Sequence, residues 1–138
     1  MTLEENKRLA RRFYEDVLNT GKLDLLEDVL SENFTEHRPS EEDTSGIASF
    51  REFLKMVTGA FPDLRIQVND VLAEGNKVAV RLTVQGTHQG VLMGESEPTG
   101  KQATWSGIDI LEIESGKITA RWSERDLLGL MRQIGAIQ

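Results

Sequence analysis

Apolar residues recur every three or four positions at the start of the chain. Leu9, Ala10, Phe13, Tyr14, Val17 and Leu18 share one face of a predicted helix, which Thr2 and Glu5 open as a capping box and Asn19-Thr20-Gly21 stops. Leu23, Leu26, Val29 and Leu30 predict a short second helix. A third carries Ile47, Phe50, Phe53, Leu54, Val57 and Phe61 and ends before Pro62. The run FTEHRPSEEDTSG between them, 34–46, is polar after Phe34 and reads as a loop.

Beyond Leu64 the period changes to two. Leu64, Ile66 and Val68 alternate with Arg65, Gln67 and Asn69, and after the turn AEGNK the residues Val78, Val80, Leu82 and Val84 alternate with Lys77, Ala79, Arg81 and Thr83. That pattern predicts a hairpin. After the Gly- and Pro-bearing loop GVLMGESEPTGK come a third strand, QATWSGIDILEI, and a fourth, KITARWSERD, joined by Glu114-Ser115-Gly116. Helices first and a mostly antiparallel sheet afterwards define an α+β fold, with 1–138 as one domain.

Alternation also assigns faces. If Val78, Val80, Leu82 and Val84 face the helices, the same parity carries Gly86 and His88 inward, provided no bulge intervenes. On the fourth strand Ile118 and Trp122 set the parity and place Ala120, Glu124 and Asp126 inside. His88, Glu124 and Asp126 are then expected to converge on one cavity. Trp105 and Trp122 are core residues that could also serve as its apolar walls. Strand 104–113 has apolar groups at both parities and does not decide. The bare side of the sheet is expected to carry Arg81, Thr83, Gln85, Thr119, Arg121 and Ser123, broad enough for a homodimer contact.

Asp and Glu outnumber Lys and Arg by 23 to 16, and a net charge of −7 repels phosphate backbones and anionic lipid. Neither a nucleic acid nor a membrane is an expected partner. With no cysteine, thiolate metal sites and thiol nucleophiles are excluded. The charged start MTLEENKRLARRFYED is unlike a signal peptide, and the expectation is a cytoplasmic protein. Phosphate-binding glycine loops and a Gly-x-Ser-x-Gly nucleophile are missing.

The remaining chemistry centres on Asp126, at the joint between the fourth strand and the amphipathic segment LLGLMRQIG. Aspartate there can cap the helix as an anion, or move a proton as general base and then general acid at a cavity rim. His37 and His88, both at element ends, could donate to a substrate carbonyl or simply be a solvated and a backbone-bonded residue. Two histidines with Asp126 could in principle make a facial metal triad, but nothing in their spacing requires one.

The segments AFPDLRIQVNDVLAEGNKVAVRLTVQGTHQGVLMG, EPTGKQATWSGIDIL and GKITARWSERDLLGLMRQIG, with RRFYEDVLNTGKLDLLEDVLSENFTEH before them, together resemble the SnoaL-like polyketide cyclases of the nuclear transport factor 2-like superfamily. The resemblance implies a cone-shaped fold in which a curved sheet wraps helices around an apolar pocket. It further implies an intramolecular aldol condensation on a hydrophobic, carbonyl-rich small molecule, without metal or organic cofactor. Asp126 would be the general acid/base and His88 and His37 the carbonyl-orienting donors, with Trp105, Trp122 and Glu124 at the substrate. The chain departs from the family pattern at Glu112, Ala120, Arg121 and Glu124, and these departures bear on the substrate more than on the fold. A related isomerase or hydroxylase, or a non-catalytic binding or dimerisation module in which Asp126 is only a cap, are the alternatives.

Overall fold

The computed structural model describes residues 1–39, 41–92 and 97–137. The first helix, α1 (Leu3–Arg11), starts as its capping box requires, with the Glu5 amide donating to Thr2 Oγ1 at 3.1 Å. It runs on as a wider π-helical stretch, Arg12–Leu18, whose Phe13, Tyr14 and Val17 are fully buried. Asn19 then ties the helix to the sheet by giving to the Ile66 carbonyl and taking from the Ile66 amide, both at 2.7 Å. A single 3₁₀ turn (Leu23–Leu25) leads into α2 (Leu26–Val29), so the expected second helix is present but shorter.

The chain then departs from the sequence expectation. Residues expected to end a helix and begin a loop form a strand, β1 (Leu30–His37), followed by β2 (Thr44–Ser45). On β1 the buried residues are Leu30, Phe34 and Glu36. Because Glu36 is a carboxylate and Glu32 is exposed, no apolar alternation announces the strand. Next come α3 (Ile47–Ala60), β3 (Arg65–Glu74), β4 (Lys77–Thr87), β5 (Gln102–Glu114), β6 (Lys117–Arg125) and α4 (Leu127–Ile134). Of the loop before β5, residues 93–96 lie outside the described residues.

The six strands form one sheet in the order β2-β1-β6-β5-β4-β3, antiparallel except for the parallel β1–β6 pair. This is the α+β, nuclear transport factor 2-like architecture, with helices packed on one face of a curved sheet. Its core joins Phe13, Phe34 and Phe50 from the helical layer and β1 to Val80, Leu82 and Leu111 from the sheet. Among the described residues no helix is long and apolar enough to cross a membrane.

One register irregularity decides what the sheet shows to the core. Glu112 pairs with Ala120, yet Ile113 pairs with Ile118, so Thr119 is an extra residue on β6. A one-residue insertion inverts every later position on a strand. Arg121 and Ser123 are therefore inside, at 3% and 6% exposure, while Trp122 and Glu124 face out. The expected parity of the fourth strand is corrected accordingly. On β4 no bulge intervenes, and its alternation stands as expected.

Candidate functional site

A cavity of about 290 Å³ lies between α3, α4 and the inner face of the sheet. Phe53, Leu54 and Val57 of α3, Phe61, Trp105 of β5 and Leu130 of α4 make its apolar walls. Its polar end holds three guanidiniums, those of Arg38, Arg121 and Arg125, with Ser123 beside them.

These arginines are organised by two buried carboxylates, which solvent cannot compensate and which must therefore be paired inside the protein. Asp109, fully buried on β5, accepts at Oδ1 from Arg125 Nη1 (2.5 Å). Its Oδ2 accepts from Tyr14 Oη (2.5 Å), Arg125 Nη2 (3.1 Å) and Arg121 Nη1 (3.2 Å). Glu36, 1% exposed on β1, takes Arg121 in a two-point contact through Nε (2.8 Å) and Nη2 (2.5 Å), and Arg38 Nη1 at 3.0 Å. Arg38 also donates through Nε to Glu41 and lies over the Phe53 ring, 3.6 Å from its centroid.

Burial alone would raise the Asp109 carboxyl, but the charges of Arg121 and Arg125 and the hydrogen bonds from Arg125 and Tyr14 outweigh it and hold the group below the ordinary aspartate range. Burial first, and then the Asp109 charge, push the Tyr14 phenol well above its ordinary value, so it stays a neutral donor. Desolvation works against the Arg121 charge, and Glu36 and Asp109 more than restore it.

Local backbone makes the arrangement possible. Gly107 pairs with Arg125 across β5 and β6, and a Cβ there would stand 2.6 Å from Arg125 Cδ and Nη1 and 2.7 Å from the Glu124 carbonyl oxygen. The missing side chain is the space through which Arg125 reaches Asp109, two residues further along the same face.

The residues expected at the site are dispersed. Trp105 lines the cavity, 5.1 Å from the Phe61 ring, and Glu124 lines it at the exposed rim. Trp122 faces the other way and stacks on His37 at 4.8 Å between centroids, with a 10° interplanar angle. His37 shares Nε2 with Thr35 Oγ1 and pairs through Nδ1 with Asp43 at 2.9 Å. It thus lies at the end of β1 on the outer side and does not line the cavity.

His88 is inside, as its parity requires, but it packs beside Phe61 and does not line the cavity. Its Nδ1 meets Thr99 Oγ1 at 3.1 Å, and Nε2 has no partner among the described residues. Asp126 is exposed and caps α4, with Oδ1 accepting from the Gly129 amide at 2.9 Å. The expected convergence of His88, Glu124 and Asp126 therefore does not occur: the bulge at Thr119 turns the last two outward, and Phe61 stands beside the first. Nor do His37, His88 and Asp126 gather as a possible metal triad among the described residues.

A charged residue carries no burial signal of its own, so periodicity does not reveal the cluster that does assemble. Two signals were present. Asp109 interrupts an apolar strand between Ile108 and Ile110, and Arg121 and Arg125 share parity on the neighbouring strand.

A curved sheet holding an apolar cavity against helices defines the class. The chain matches the SnoaL-like polyketide cyclase family over residues 8–134 and belongs to that family. Solved structures with the same fold include a SnoaL-like protein from Jannaschia sp. CCS1, 22% identical with a TM-score of 0.89, covering 98% of this chain and 94% of that one. AclR from Streptomyces galilaeus is 27% identical at TM-score 0.86, covering 99% and 84%. TsrD from Streptomyces laurentii is 29% identical at TM-score 0.87, covering 99% of both chains. None of the curated proteins matches in sequence.

Proposed function

We propose that the chain is a cyclase that closes a ring within a mainly apolar, carbonyl-rich small molecule by intramolecular aldol condensation. The observation that carries this reading is the joining, in a SnoaL-like fold, of an apolar cavity to a floor of guanidinium donors. Apolar walls fold the substrate chain and exclude water, and N–H donors fixed in a dry site stabilise an oxyanion as it develops. Asp126 is the proposed proton-handling group. It does not line the cavity, but it stands between two residues that do, Arg125 and Leu127, and its Oδ2 accepts no hydrogen bond from the described residues.

In the proposed reaction the Asp126 carboxylate takes a proton from a carbon between two carbonyls, leaving an enolate whose oxygen faces the arginines. The enolate carbon attacks a second carbonyl of the same molecule, a carbon–carbon bond forms, and the displaced π pair becomes an alkoxide. The alkoxide recovers the proton from Asp126. A partial reaction tests this without the native substrate: exchange of the activated methylene protons of benzoylacetone in deuterated water, followed by NMR. Wild-type protein is expected to accelerate exchange, and Asp126→Asn to lose about a hundredfold or more of the acceleration. Equal rates for the two proteins would remove Asp126 from the chemistry.

The Gly129 contact favours a second reading, a non-catalytic binding module in which Asp126 only caps α4. That reading expects benzoylacetone to bind without any accelerated exchange.

A further inference from the structure

We infer that the ligand of this cavity carries a carboxylate, or an equivalent fixed anion, seated between Arg38 and Arg125, with its apolar body against Phe53, Phe61 and Trp105. The inference rests on the cavity being the substrate site, as proposed above, and adds the substrate class. It starts from a charge imbalance. The inner cluster contains three guanidiniums and two carboxylates, Glu36 and Asp109. Arg121 lies wholly inside and meets both, Glu36 through Nε and Nη2 and Asp109 through Nη1.

Arg38 and Arg125 share the same two acceptors from outside and keep 15% and 17% of their side chains accessible, both toward the cavity. Within the inner cluster three guanidiniums thus meet two carboxylates, and the other carboxylates at the cavity, Glu41 and Glu124, are exposed at its edge. Glu41, which also lines the cavity, takes Arg38 Nε at 2.8 Å, but at 50% exposure water screens the pair.

Donor geometry points the same way. A guanidinium offers five N–H groups. Arg38 commits Nη1 to Glu36 and Nε to Glu41, and Nη2 has no acceptor among the described residues. Arg125 commits Nη1 and Nη2 to Asp109 and Nη1 again to the Glu124 carbonyl, and Nε has no acceptor there. Unspent cationic donors at the end of an otherwise apolar cavity are the recognition chemistry of an acid with a hydrophobic body. A neutral ester would accept hydrogen bonds from the same donors and leave the inner cluster with three guanidiniums to two carboxylates.

The overall charge of the chain sharpens the test. At −7 it repels anions, so nonspecific binding favours a neutral ligand over its acid. Naphthoate and methyl naphthoate, compared by calorimetry and ligand-observed NMR on the full chain, separate the outcomes. The acid is expected to bind about tenfold more tightly than the ester, the scale of one charge-assisted hydrogen bond. Arg38→Gln, which leaves the contact between Arg121 and Glu36 in place, is expected to bring the two affinities together, and Arg38→Lys to recover part of the preference. Equal binding of acid and ester to the wild type would overturn the anion requirement and leave the cavity as a substrate site. Binding of neither would overturn the inference and the proposed substrate site together. Faster methylene exchange with no acid preference would uphold the cyclase reading and reject this one.

Discussion

The two faces of strands β5 and β6 carry the reverse of what a half-solvated sheet is expected to carry. The inner face buries Asp109, Arg121 and Ser123, while the outer face exposes Ile108 (54%), Ile110 (41%) and Trp122 (39%). On β4 the ordinary rule holds, with Val78, Val80 and Leu82 inside and Arg81 outside, paired to Asp70 of β3. Charge can lie inside where every charged group meets several partners, and a cavity supplies a reason for it to be there. Apolar side chains can lie outside at modest cost, because exposure of single hydrophobic residues is normal. The faces of β5 and β6 are thus set by register and pairing more than by hydropathy.

The comparison breaks most sharply at Asp109. Asp109→Ala leaves the Arg121 and Arg125 charges short of a partner in the interior and is expected to cost about 3–5 kcal/mol in urea unfolding. Titration examines the same group in the intact protein. Its folded value is lowered, so the unfolded chain binds the proton more readily; stability is full above the ordinary aspartate value near about 4 and falls as pH drops through the lower folded value. Tyr14 sets the opposite limit. Its folded value is raised, so stability is full below about 10 and is lost as pH climbs toward the folded value. Unfolding free energy measured across pH should show both flanks, and Tyr14→Phe should remove the alkaline one.

Gly107→Ala is the next largest. Its Cβ would occupy the path of Arg125 and press on the Glu124 carbonyl, for an expected loss of about 1–3 kcal/mol in the same unfolding assay. At the cap, Asp126→Ala should cost about 1 kcal/mol and Asp126→Asn much less, because asparagine caps as well as aspartate. Ile110→Lys on the outer face sharpens the contrast from its weak side. It should change monomer stability by less than about 0.5 kcal/mol. The row Leu72, Ala79, Ile110, Trp122 and His37 crosses five strands in register, and the homodimer contact expected from the sequence is proposed for this row. Sedimentation velocity would then show the Ile110→Lys protein at a lower mass than the wild type.

Some of this was legible in the sequence and some was not. The capping box at Thr2, the helix 47–60, the hairpin of β3 and β4 and the two long strands after it follow from local periods of 3.6 and 2, because such patterns reflect one face meeting one core. The family resemblance carried the fold further than periodicity did, and the family and architecture agree with it. The candidate site was less accessible. Trp105 and Glu124 do line the cavity, whereas His37, His88, Trp122 and Asp126 do not.

The sequence by itself determined the elements other than β1 and β2, the α+β class and the family, since each depends on neighbours a few residues apart or on the order of short motifs. Only the tertiary structure decided that Thr119 is an extra residue, that Glu36 lies on a strand, and that Arg38, Arg121 and Arg125 meet at one cavity floor. The reason is physical. A charged residue is indistinguishable from a solvated one until its partners are known, and one partner of Arg121, Glu36, is 85 residues away along the chain.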